Sequence, residues 1–105
     1  MKAITNIDTF EQTISSSEPV IIKFFANWCP DCRRMDMFIG DIMEEYNSYT
    51  WYELNKDELP ELAEKYDVMG IPSLLIFQNS EKKAHLHSAN AKSPEQVIEF
   101  LHSVK

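Results

Sequence analysis

The sequence predicts a mixed α/β protein, a central sheet flanked by helices. Three observations carry this. Short runs of β-branched and aromatic residues, "VIIKFFA" and "SLLIF", are apolar at nearly every position, as in strands covered on both faces. Between them, apolar residues recur at three- and four-residue steps, the period of helices packed on one side. Helix-start signals then fall at the joints, with Pro30, Pro60 and Pro94 each opening a periodic segment. At 105 residues the chain reads as one domain over residues 1–105, long enough to bury a core without covalent staples.

Each element has its own justification. Lys2 to Asn6 fits a short strand. "DTFEQTISSS" fits a helix with Asp8 as N-cap and Glu11 three residues on, the spacing of a capping box. Val20 to Ala26 is the first buried strand, interrupted only by Lys23. From Pro30 to about Asn47, Met35, Phe38, Ile39, Ile42, Met43 and Tyr46 mark one helical face. Cys29 is then the N-cap of that helix, and Cys32 lies one turn inside.

Thr50 to Asn55 reads as another strand, and "LPELAEKY" as a short helix. "GIPSLLIFQN" supplies a strand ending near Asn79. Asn79 to Lys82 reads as a turn, with an antiparallel return from Ala84 to Ser88. Ser93, Pro94 and Gln96 are the cap, first-turn proline and capping-box partner of a closing helix. The resulting order is β-α-β-α-β-α-β-β-α, without the order of strands in the sheet.

Composition excludes several classes. Apolar content of 44% and charged content of 26% are those of a folded globular chain. A formal net charge of −7, from 17 acidic and 10 basic residues, argues against nucleic acid or an anionic membrane as partner. No apolar run approaches the roughly 20 residues of a membrane-spanning helix. "MKAITNIDTF" has no signal-peptide apolar core, so the expected location is the cytoplasm, where thiols stay reduced.

The two cysteines lie in "FFANWCPDCRR". They can bind a metal, staple the chain or exchange electrons with another disulfide. Zinc needs about four ligands, and here there is one pair, with His85, His87 and His102 far downstream. A staple across so small a loop removes little chain entropy. Exchange fits best. At a helix N-terminus, Cys29 meets unpaired N–H groups and the positive end of the helix dipole, and both favour its thiolate. Cys32, one turn in, is expected to be more buried and less ionised. That asymmetry makes Cys29 the attacking sulfur and Cys32 the resolving one.

The chain resembles a thioredoxin over essentially its full length. The resemblance rests on "VIIKFFANWC" running into the C-x-x-C helix, on "LNKD", on "YDVMGIPSLLIF" and on the final "EFL" helix. "WCPDC" departs from the Gly-Pro usual between thioredoxin cysteines and is similar to the motif of a thioredoxin-related subgroup. Proline after the first cysteine also resembles glutaredoxins, which usually lack Trp28 and the "GIP" form. The resemblance implies a thioredoxin fold and a thiol–disulfide oxidoreductase that reduces protein or small-molecule disulfides through a Cys29/Cys32 cycle. It implies no cofactor and a monomer, with a thioredoxin reductase or a low-molecular-weight thiol as electron donor. A binding or redox-sensing module on the same fold is the alternative.

It further implies a cis peptide bond at Pro72, with Gly70 and Ile71 offering backbone to a substrate. Trp28, Pro30, Asp31 and Asn90 complete the implied substrate surface, Asn90 standing where a loop glycine is usual. The largest departure is Lys23, six residues before Cys29, where thioredoxins carry a buried aspartate thought to assist proton transfer at the resolving cysteine. That aspartate's usual lysine partner falls here at Glu53. The expectation is a swapped, partly buried Lys23–Glu53 pair beneath Cys32, with the lysine handling a proton. Asp31 opposes Cys29 ionisation and makes the dithiol a better reductant. Thioredoxins carry a kinking proline within the second helix; here the stretch has Met37 and no proline, which leaves Gly40 as the point of looseness.

Overall fold

A five-stranded sheet divides the molecule into two layers of helices; the computed structural model describes residues 1–104. The elements are β1 (Lys2–Ile4), α1 (Ile7–Ile14), β2 (Val20–Phe25), α2 (Pro30–Glu45), β3 (Thr50–Asn55), α3 (Pro60–Lys65), β4 (Ser73–Gln78), β5 (Glu81–Leu86) and α4 (Pro94–Ser103). A single 3₁₀ turn, Ser88–Asn90, precedes α4. The strand order is β1-β3-β2-β4-β5, with β1, β3 and β2 parallel and β4 and β5 antiparallel. The mixed α/β reading holds, and β2 is the central strand.

Because successive side chains alternate across a strand, β2 feeds both layers. Ile22 and Phe24 join Leu54, Leu75 and Phe77 against Phe10 of α1 and Leu62 of α3. Ile21 joins Trp51, Leu74 and Ile76 against Met35, Ile39 and Ile42 of α2 and Val97 and Leu101 of α4. Lys23 shares the second face, in register with Glu53 of β3 on one side and Leu74 of β4 on the other.

Three local expectations are corrected. The N-cap of α1 is Asn6, whose Oδ1 accepts from Thr9 N at 2.8 Å; Asp8 lies in the first helical turn, where its charge still suits the dipole. The β4–β5 turn is shorter than expected. Asn79 and Ser80 both take left-handed φ, 53° and 67°, the geometry of a two-residue hairpin turn, so β5 begins at Glu81. Their N–H groups reach the Ser16 and Ile14 carbonyls at 2.8 and 2.7 Å, satisfying acceptors that the end of α1 leaves open. Finally, α2 runs unbroken through Gly40, where looseness was expected, just as it does through Met37, where no proline kinks it; both are exposed.

Candidate active site

The end of β2 and the start of α2 build the site. After Phe25 the chain turns at Ala26, and Cys29 N donates back to Ala26 O at 3.3 Å. Cys29 is the N-cap of α2, with extended φ and ψ of −88° and 109°. Its Sγ accepts from Cys32 N at 3.1 Å, the role a serine or aspartate oxygen plays at other helix starts. Pro30 follows at the first helical position, where a missing N–H leaves nothing unsatisfied. Cys29 and Cys32 are joined as a disulfide, with Cα atoms 5.3 Å apart.

The expected difference in burial between the sulfurs is absent in this oxidised state: Cys29 is 3% exposed and Cys32 2%. A ring closed between them turns both inward, onto Ala26, Phe25 and Ile71. What separates them is position. Cys29 Sγ takes the free N–H of the helix start and lies 3.8 Å from the Ile71 carbonyl oxygen. The Ile71–Pro72 bond is cis. Gly70 abuts Ser88, whose side chain a Cβ at Gly70 would strike, and Gly70 O accepts from Ser73 Oγ at 2.6 Å. The loop carrying Asn90 is thereby brought beside the proline loop, with Asn90 itself exposed.

Trp28 lies on the surface, 62% exposed, and Pro30 is exposed beside it. Trp28 Nε1 donates to Asp57 Oδ2 at 2.8 Å, and the Lys56 ammonium lies 5.6 Å from the centre of the indole. Asp57 is thus the partner that orients the indole. The Trp28 hydrogen bond, then that from Lys56, holds its carboxyl below the ordinary range. Asp31, between the cysteines, is gripped by Lys92 at 2.7 Å and more loosely by Arg34 at 3.5 Å. The hydrogen bond and charge of Lys92 lower its carboxyl as well.

The swapped pair is corrected. Lys23 is buried, 1% exposed, but its ammonium donates to Asp36 Oδ1 of α2, not to Glu53. Among the described residues no ion pair joins Lys23 to Glu53, which is half-buried on the neighbouring strand. The physical reason lies in solvation. Asp36 is 58% exposed, so Lys23 reaches a carboxylate that keeps much of its water, and only one of the two charges is desolvated. Asp36 follows Cys32 by one helical turn, on the same side of α2. His85, on β5, is half-buried and His87, just past its end, is exposed; their rings stack 3.8 Å apart.

A dithiol seated on a helix N-terminus beyond the end of a mixed sheet's central strand, closed as a disulfide and overhung by the backbone before a cis-proline, defines a thiol–disulfide oxidoreductase. Residues 2–103 match the thioredoxin family, and the chain belongs to it. It is 33% identical to thioredoxin-1 of Saccharomyces cerevisiae over 89 residues, 85% of this chain and 86% of that one. To thioredoxin 1 of Plasmodium falciparum it is 30% identical over 99 residues, 94% of this chain and 95% of that one. A solved structure of Plasmodium falciparum thioredoxin superposes with a TM-score of 0.81 at 30% identity, covering 94% of this chain and 97% of that one. The reading as a binding module alone is not favoured.

Proposed function

We propose that the protein reduces disulfides of other proteins, with Cys29 as the attacking sulfur and Cys32 as the resolving one. The observation that carries this is Cys29 Sγ as N-cap, accepting from Cys32 N at 3.1 Å, beside the Ile71 carbonyl. An N–H aimed at sulfur favours its thiolate over its thiol. In the reduced protein the Cys29 thiolate attacks a substrate disulfide. One new S–S bond forms, the substrate S–S bond breaks, and one substrate thiolate leaves. Cys32, deprotonated, attacks Cys29 Sγ, closes the internal disulfide and releases the second substrate thiolate. Two electrons pass to the substrate, and the two leaving thiolates take up two protons.

Lys23, held by Asp36 a turn below Cys32, serves the proton that Cys32 must lose and regain; Glu53 has no part in that role. Trp28, Pro30, Asp31, Gly70, Ile71, Pro72 and Asn90 form the surface that receives the substrate, whose backbone runs alongside Ile71 as an added strand. The oxidised protein returns to the dithiol through a thioredoxin reductase or a low-molecular-weight thiol. The proposed setting is a cytoplasmic monomer without nucleic-acid or membrane partners; no helix among the described residues is long and apolar enough to cross a membrane.

Insulin reduction tests this. Wild type is expected to turn over, Cys29→Ser to show no activity, and Cys32→Ser to accumulate a mixed disulfide at Cys29. Turnover by Cys29→Ser would overturn the assignment. A redox sensor without reductase activity would show no catalysis even in wild type.

A further inference from the structure

Lys92 lies 61 residues from Asp31 in sequence, yet their side chains meet at 2.7 Å. The contact is prepared on both sides. Lys92 N donates to Gln96 Oε1 at 2.7 Å, and the same oxygen takes Ser93 N at 3.2 Å, so the capping box of α4 fixes the backbone of Lys92. Ala91, just before it, is buried in the core under α2 and α4. Asp31 sits in the first turn of α2, between the two cysteines in sequence and two residues after Cys29.

We propose that Lys92 is a positioning residue of the redox centre. By gripping Asp31 across the rim, it offsets the negative charge between the cysteines and so sets how readily Cys29 ionises and how reducing the dithiol is. The other charges around the pair are already engaged. Arg33 donates to Asn27 O at 2.7 Å, Lys56 and Asp57 pair at 3.2 Å beyond Trp28, and Lys23 below is held by Asp36. Arg34 reaches Asp31 only at 3.5 Å.

An unpartnered Asp31 would oppose the Cys29 thiolate through space; with Lys92 in place the two charges form a dipole whose field falls off faster. The lowered carboxyl of Asp31, owed first to Lys92, agrees with the geometry. Loss of Lys92 therefore disfavours the thiolate, which slows Cys29 and makes the dithiol more reducing. The proposal rests on Cys29 being the attacking sulfur.

The test uses the reduced full chain as wild type, Lys92→Met, Lys92→Arg, Asp31→Asn and the Asp31→Asn/Lys92→Met double variant. Iodoacetamide alkylation is followed against pH, with the labelled cysteine located by peptide mass and folding checked by circular dichroism. The disulfide is equilibrated with glutathione in parallel. Lys92→Met is expected to slow Cys29 alkylation about threefold below the thiol's midpoint at low salt, the size of one partly screened charge at this range. The midpoint should move up and the equilibrium towards a stronger reductant. The difference should shrink in molar salt. Lys92→Arg should restore the wild-type profile, and in the Asp31→Asn background Lys92→Met should do little. Label on Cys29 with an unchanged profile in Lys92→Met, or equal slowing with and without Asp31, would overturn the proposal alone. First label on Cys32 would overturn the sulfur assignment and the proposal with it.

Discussion

The two faces of the sheet are packed for different ends. On the α1/α3 side, Phe10, Tyr66 and Phe77 form a triangle with ring centres 5.0 to 5.6 Å apart, surrounded by aliphatic side chains. On the α2/α4 side the same central strand buries a lysine, and the helix above it starts at the disulfide. Both faces bury an apolar cluster, but only the second also buries a charge, on the strand that leads to the disulfide. A buried ammonium is costly unless paired, and replacing such a pair by apolar groups is often neutral or stabilising. The second face therefore carries a feature that stability alone does not explain.

The sharpest way to break this contrast is Phe77→Ala, which should cost about 3–5 kcal/mol in urea unfolding while the folded fraction keeps its Cys29 reactivity. A loss of reactivity without loss of stability would reverse the assignment of faces. Next comes Lys23. Asp36→Asn leaves its ammonium without a carboxylate and should cost about 1–2 kcal/mol, discounted because Asp36 is largely hydrated. Lys23→Met should leave stability within about 1 kcal/mol of wild type. It should nevertheless slow release of a trapped mixed disulfide, measured by stopped-flow quenching; an unchanged release rate across pH would remove Lys23 from the chemistry.

A smaller effect concerns His85, on β5. Burial first, then the neighbouring His87 and Lys82, lower its pKa from 6.5 to about 4. The unfolded chain then binds a proton that the native protein refuses. The stability from this site is complete above pH 6.5 and lost progressively as pH falls from 6.5 to about 4. Allowing for solvent screening, His85→Gln should flatten that limb by about 1 kcal/mol. Smallest is Gly40→Ala. Open space surrounds the position a Cβ would take, on an exposed face of α2, so the variant should gain about 0.5–1 kcal/mol in thermal unfolding.

How much was legible in the sequence follows from how local each feature is. Cys29 as N-cap, Pro30 behind it and the Ser93–Gln96 capping box are set by residues within one turn, and all are found in place. The same locality failed at α1, where Asn6 and Asp8 are both good caps and only the chain's path chooses between them. Glu53 was the expected partner of Lys23 because the resemblance puts it where the buried charge's partner usually stands, and the register does set the two level on neighbouring strands. The side chain goes instead to the helix overhead, and the rotation of α2 over the sheet is a tertiary fact with no local signature. The Trp28–Asp57 hydrogen bond and the Lys92–Asp31 grip were hidden for the same reason.

The strand order has one more consequence. The outermost strands are β1, three residues long, and β5, whose first half is Glu81, Lys82 and Lys83. A short border and a charged one offer no ladder for a stray polypeptide to extend. Neither margin therefore gives a second copy of the chain a strand to lengthen into a fibre.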